Sequence, residues 1–118
     1  MSELRVIKKY PNRRLYDTME SRYITLADIR NLVVEGTDFI VIERKSQEDI
    51  TRSILLQVIA EQEHMGEPLM SREFLAEVIR SYGTSMPAEF GSFLESCMHQ
   101  YAMQHRAKPK NAVVVTSA

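Results

Sequence analysis

Residues 8–17 read Lys8-Lys9-Tyr10-Pro11-Asn12-Arg13-Arg14-Leu15-Tyr16-Asp17. Proline presets the backbone for the second position of a turn, and asparagine tolerates the third. The stretch therefore doubles back, and residues 4–10 and 14–17 read as two short strands around the Pro11-Asn12 turn. Doubling back gathers Lys8, Lys9, Arg13 and Arg14, with Tyr10 and Tyr16 beside them. Cations suit phosphate oxygens, and an arginine fork also matches a guanine edge. Two readings fit. One is a nucleic-acid contact surface; the other is a solvated hairpin whose cations keep it from pairing with other sheets.

Beyond the hairpin, Asp17–Ser21 is a second turn and Arg22-Tyr23-Ile24 a third extended run. The period then changes. Thr25-Leu26-Ala27-Asp28 has the form of a capping box, and Leu26, Ile29, Leu32 and Val33 fall on one helical face. Gly36 is placed to end that helix in a left-handed cap. Phe39-Ile40-Val41-Ile42 is a run suited to a buried strand. A polar turn over residues 44–48 leads to a second helix, capped by Asp49 or Thr51, with Ile54, Leu55, Val58 and Ile59 as its apolar face. Met65-Gly66-Glu67-Pro68 breaks it. Ser71 caps a third helix with Phe74, Leu75, Val78, Ile79 and Tyr82 inward, ended by Gly83. Pro87 is tolerated in the first turn of a fourth, which carries Phe90, Phe93, Leu94, Cys97 and Tyr101 at spacings of three and four. The expected fold class is α+β. An α+β head over residues 1–65 precedes a helical segment over 66–106, and residues 107–118 form a disordered tail.

The chain has 118 residues, 44% apolar and 26% charged, ordinary for a globular protein. Nothing in it approaches the run of about 20 apolar residues that crosses a bilayer, and no apolar stretch behind a charged start marks a signal peptide. One cysteine, Cys97, cannot form an internal disulfide and suits a reducing cytoplasm. Net charge is −1, so the chain as a whole is not a basic nucleic-acid binder. The charge is segregated instead. Between Leu4 and Tyr16 lie Arg5, Lys8, Lys9, Arg13 and Arg14 with no acid. From Ser53 to His105 the cations Arg72 and Arg80 face seven glutamates.

Enzymatic constellations are missing. Glu61-Gln62-Glu63-His64 holds a Glu-x-x-His, half of a di-iron motif, but at that spacing Glu95 is followed by Met98. Cys97 and His99 fall on different helix faces, and Cys97 reads as a small core residue. One cysteine cannot build a zinc framework, and the scattered glycines form no phosphate loop. No catalysis, cofactor or metal is expected.

Five blocks carry a resemblance: KKYPNRRLYDT at 8–18, SRYITLADI at 21–29, EDITRSILLQVIAEQE at 48–63, PLMSREFLAEVIRSYG at 68–83 and FLESCMHQY at 93–101. Together they resemble the polyhydroxyalkanoate synthesis repressors of bacteria over residues 5–104. The resemblance implies a transcriptional repressor with an N-terminal DNA-binding domain and a C-terminal accumulation-regulator segment. It implies repression of granule-protein genes and binding to the storage polymer itself. Two departures stand out: Glu43 and Ser46-Gln47 replace an expected Asp and a Thr-Gly turn.

The expected partners are duplex operator DNA, polyhydroxyalkanoate and a second copy of the chain as dimer or tetramer, with no membrane. The expected location is the cytoplasm, partly at storage granules. Candidate DNA contacts are Lys8, Lys9, Tyr10, Asn12, Arg13, Arg14, Arg22, Lys45 and Arg52, with Arg44 extending the patch. A hairpin can enter a major groove, whereas no helix here carries the side chains of a recognition helix. Tyr10 and Tyr16 read as packing residues rather than stacking platforms. The methionines crowd the C-terminal half and suit adaptable apolar surfaces. Met86, Phe90, Phe93, Leu94, Met98 and Tyr101 are therefore candidates for a polymer or oligomer surface. The alternative function is a granule-associated helical interaction protein that does not use DNA.

Overall fold

A computed structural model describes residues 4–105. The elements run β1 Arg5–Lys9, β2 Leu15–Asp17, β3 Arg22–Ile24, α1 Leu26–Val34, β4 Phe39–Glu43, α2 Thr51–Met65, α3 Arg72–Ser81 and α4 Pro87–Gln104. The architecture is α+β, as the sequence leads one to expect. The chain divides into two compact units between Leu69 and Met70.

The first unit is a four-stranded sheet of order β3-β2-β1-β4 with two helices. β1 pairs antiparallel with β2, and β2 with β3. β1 pairs parallel with β4, and α1 lies in the connection between them. Strand alternation sorts the side chains into two sets. Ile7, Leu15, Ile24 and Val41 point to one side, where they meet Ile29 and Leu32 of α1 and Ile54 of α2, and all seven are buried. Val6, Lys8, Tyr16, Tyr23, Ile40 and Ile42 take the other face, and none of them is fully buried. This corrects the expectation of a buried strand at 39–42: only Val41 is enclosed, because helices cover one face of the sheet.

Local chemistry sets the boundaries of α1. The Thr25 hydroxyl accepts from the Asp28 N–H at 3.3 Å, and Asp28 Oδ2 accepts from the Thr25 N–H at 2.9 Å. At the other end Gly36 has φ +75°, where a side chain is strained. Its N–H reaches the Val33 carbonyl at 3.0 Å, and the Thr37 N–H reaches the Leu32 carbonyl at 2.9 Å. This double closure satisfies two orphan carbonyls of the last turn.

The outer edge of β4 is closed by the chain that follows it. Glu43 N–H donates to the Glu48 carbonyl at 2.9 Å, and Ile50 N–H donates to the Val41 carbonyl at 2.8 Å. The Val41 N–H donates to Thr51 Oγ1 at 2.8 Å. Thr51 is thereby occupied with β4 and with Asp49, whose Oδ1 accepts its N–H and hydroxyl at 2.9 and 2.6 Å. Ile50 is the cap residue of α2 and makes no side-chain cap, so the capping expected of Asp49 or Thr51 is shifted outward by one residue. Along α2, Ile54 is buried and Leu55 and Val58 are half-buried, but Ile59 is exposed rather than part of the apolar face.

In the second unit Ser71 Oγ accepts from the Phe74 N–H at 3.0 Å and starts α3, and Pro87 stands in the first turn of α4. Neither helix buries a single residue fully. Phe90, Leu94 and Val78 are half-buried. Tyr82, expected inward, is 75% exposed, and Cys97, expected in a core, is exposed. Among the described residues, α3 and α4 enclose no side chain. The expected tail over 107–118 lies outside the described residues.

Candidate nucleic-acid interface

The hairpin loop is three residues long. Arg13 N–H donates to the Tyr10 carbonyl at 2.9 Å, and Tyr10 N–H donates to the Arg14 carbonyl at 2.9 Å. Pro11 and Asn12 take the two central positions, and Asn12 Oδ1 accepts from the Arg14 N–H at 3.1 Å. Such loops need a left-handed residue in third place, usually glycine. Here it is Arg13, at φ +69°. The conformation costs a side-chain-bearing residue on the order of 1 kcal/mol, and the guanidinium it carries is exposed.

The parallel pairing of β1 with β4 brings the C-terminal ends of both strands side by side. Arg44 N–H donates to the Lys9 carbonyl at 2.9 Å, so the 44–47 turn abuts the hairpin end. Gln47 takes φ +65°, and its N–H closes the turn on the Glu43 carbonyl at 2.8 Å. Glu43 Oε1 accepts from the N–H groups of Lys45 and Ser46 at 3.1 and 3.3 Å. Glu43 thus does the accepting that an Asp would do there, and Gln47 takes the torsion that a Gly would. Lys8, Lys9, Arg13, Arg14, Arg44 and Lys45 therefore gather at one end of the sheet. An open groove of about 830 Å³ lies beside them, with Lys9, Arg13 and Arg14 over Leu15, Ile24 and Ile54.

Tyr10, Tyr16 and Tyr23 form one cluster on the sheet face that carries no helix. Ring centroids are 6.3 Å apart for Tyr10–Tyr16, 6.1 Å for Tyr10–Tyr23 and 5.2 Å for Tyr16–Tyr23, tilted to edge-on. The Arg14 guanidinium lies 3.9 Å from the Tyr23 centroid, and that of Arg44 lies 5.1 Å from Tyr10. Sequence reasoning passed over Tyr23. The signal was present in Arg22-Tyr23-Ile24, where an inward Ile24 sends Tyr23 to the face of Tyr16, its register partner.

Arg22 does not join this cluster. It lies at the opposite end of the sheet, 2.8 Å from Glu20 and 4.0 Å from Asp28. Arg5 is in the same network, 2.6 Å from Asp17 and 3.1 Å from Glu20. Asp17 is 1% exposed and also accepts the N–H groups of Met19 and Glu20. Burial pushes its carboxyl up, but the Arg5 hydrogen bonds and these two N–H groups outweigh burial and hold it below the usual carboxylate value. Arg5 and Arg22 are held above theirs by hydrogen bonds to Asp17 and Glu20 respectively. Both arginines are thus neutralised where they stand. Arg52, exposed in the first turn of α2, starts beside the middle of β4 and is also off the hairpin end.

In the second unit Met86, Phe93, Met98 and Tyr101 of the candidate apolar surface are more than half exposed. Among the described residues no cluster of His, Cys, Asp and Glu could hold a metal ion, and no helix is long and apolar enough to cross a membrane.

Residues 6–66 match the family described as the PHB/PHA accumulation regulator DNA-binding domain. The chain belongs to this family. The matched residues of this accumulation regulator are the sheet, α1 and α2, the elements that build the cationic end. A relative from Thiocystis violacea, described as an uncharacterized protein in the phbA 5′ region, is 53% identical over 93% of the chain and 80% of its own length. An uncharacterized protein of Allochromatium vinosum is 51% identical over 93% of the chain and 72% of its own length. No solved structure matches.

Proposed function

We propose that this accumulation regulator is a transcriptional repressor of polyhydroxyalkanoate synthesis and granule-protein genes. It binds duplex operator DNA through the hairpin end of its sheet and leaves DNA on meeting the polymer. The observation that carries the DNA reading is the gathering of six cations at one sheet end, one of them in a left-handed position that glycine would fill at less cost. Lys8, Lys9, Tyr10, Asn12, Arg13, Arg14 and Lys45 form the contact set, with the loop entering a major groove. Arg22 is left out because its carboxylate partners occupy it. Arg52 contributes at most to the flank. The relative described by its place in the phbA 5′ region supports a link to that gene.

The second unit supplies the self-contact and polymer surface, through Met86, Phe90, Phe93, Leu94, Met98 and Tyr101. Exposed Phe and Met favour this assignment, since a polyester offers only apolar and ester groups. In a dimer or tetramer the basic hairpins would sit about 34 Å apart, one DNA turn. Polymer that displaces the self-contact spoils that spacing, which is the differential affinity any release mechanism needs. The protein then works in the cytoplasm and partly at granule surfaces.

The deciding experiment replaces Arg13 and Arg14 with Ala and measures duplex binding against salt. Affinity is expected to fall, and the salt dependence to flatten by roughly one unit of slope per lost phosphate contact. Unchanged binding with an intact circular-dichroism spectrum would leave the alternative, a granule-associated helical protein that does not use DNA.

A further inference from the structure

The sheet face without helices carries a constellation that phosphate binding does not require. Phosphate contacts need only charge and reach, and Lys8, Lys9, Arg13 and Lys45 provide both. Arg14 and Arg44 differ from these four. Each guanidinium is laid on a tyrosine ring, at 3.9 Å on Tyr23 and 5.1 Å on Tyr10. The two rings belong to one cluster, with centroids 6.1 Å apart and Tyr16 packed against both. Alternation along the strands places Val6, Lys8, Ile40 and Ile42 on the rest of this face; the carboxylate nearest by register is Asp49, bridged to Ile42 and already bonded to Thr51.

A guanidinium stacked on a ring keeps its in-plane N–H donors free, while its long side chain has already lost much of its rotamer freedom. That is the preparation a bidentate contact to guanine O6 and N7 needs. Bulk attraction to a polyanion gains little from it.

On the reading that this domain binds duplex DNA, we infer that Arg14 and Arg44 are its base-reading forks. Tyr23 and Tyr10 are positioning residues that hold them, and the open sheet face beside the hairpin is the surface that meets the base edges. Lysines and Arg13 grip the backbone; the two stacked arginines choose the sequence. Arg44, in the turn after β4, and Tyr23, on β3, thereby enter the interface from opposite edges of the sheet, so the reader is the full sheet end rather than the two-stranded ribbon alone.

The test uses the full chain and a duplex selected by the wild-type protein from a randomised library. Its affinity is compared with that for a scrambled duplex of equal length. Arg44→Lys and Arg14→Lys keep the charge and remove the fork. Each is expected to lower the ratio of specific to non-specific affinity about tenfold or more, because the loss falls on the selected duplex far more than on the scrambled one. Tyr23→Phe keeps the ring and is expected to keep the ratio. Tyr23→Leu is expected to lower it as Arg14→Lys does, and the double variant to go no lower than either. A wild-type ratio that survives both lysine variants overturns the inference while leaving duplex binding in place. So does a loss that falls equally on specific and scrambled duplexes. A wild-type protein that selects no duplex overturns the DNA reading itself, and the inference with it.

Discussion

In the first unit seven apolar side chains from four strands and two helices close on one another and leave the solvent. In the second, Ile79, Tyr82, Met86, Phe93, Met98, Tyr101 and Met103 are each more than half exposed, and no residue of either helix is buried. Both units are rich in apolar residues, so composition does not separate them. What separates them is layering. A sheet backed by two helices encloses a core, while α3 and α4 enclose none. The first unit encloses a core while still exposing Val34, Leu56, Met65 and Leu69; the second encloses none among the described residues, and we propose that a second copy or the polymer covers its apolar stripes.

The sharpest way to break that contrast is to cut it. A fragment ending at Leu69 is expected to unfold cooperatively in denaturant at any protein concentration. The 70–118 fragment is expected to show helix only as it associates, with ellipticity that rises with concentration. A concentration-independent transition in the second fragment would mean that it has a core of its own.

Single truncations should sort the same way. Ile54→Ala is expected to destabilise the first unit by about 2–5 kcal/mol, read from denaturant midpoints. Phe93→Ala should leave that transition in place and instead lower the mass seen by light scattering. Phe93→Asp should abolish binding to polymer granules, and the 1–69 fragment, which lacks α4, should still bind duplex DNA without being released by polymer.

A third contrast is acidic. Arg5→Ala strands a buried carboxylate at Asp17 and is expected to cost about 3 kcal/mol. Asp17 has a folded pKa below its ordinary 3.8, so its contribution is complete above that value and is lost as pH falls through the folded one. Wild-type stability should therefore be level near neutrality and drop below about pH 4. In Arg5→Ala, burial is opposed by two N–H groups alone and the acid limb should flatten. The smallest effect expected is a gain: Arg13→Gly should stabilise the first unit by about 1 kcal/mol and still weaken duplex binding. A variant that gains on both counts would show that Arg13 is not there for DNA.

Much of the first unit was legible because its signals are local. Pro11-Asn12 fixes the loop, Thr25 with Asp28 starts α1, and Gly36 ends it, each through bonds within a few residues. The pairing of β1 with β4 was not legible, since it depends on a contact between residues more than thirty apart, and with it went the placing of Arg44 beside Lys9. The acid-free run at 4–16 was also misleading for one residue: the fold brings Asp17 back onto Arg5. Arg22 is a different case: its close acid partner, Glu20, stands two residues away and was legible in the sequence, while Asp28 of α1 is farther off at 4.0 Å. In the second unit helix starts were legible at Ser71 and Pro87, but inward and outward were not. Those words have no meaning until the number of walls around a stripe is known.

The closed edge of β4 has a further consequence for how the protein behaves when crowded. An open strand edge is a template on which other chains can add, and it is a common origin of aggregation. Here the segment from Gln47 to Thr51 already occupies the outward donors and acceptors of Val41 and Glu43, and the opposite edge is a strand of only three residues led by a charged Arg22. A first unit so guarded can be brought to high local concentration, many copies side by side, without its sheets fusing into fibres. Thr51→Val would unmask the Val41 N–H, and a rise in thioflavin fluorescence on prolonged incubation would mark the guard that was lost.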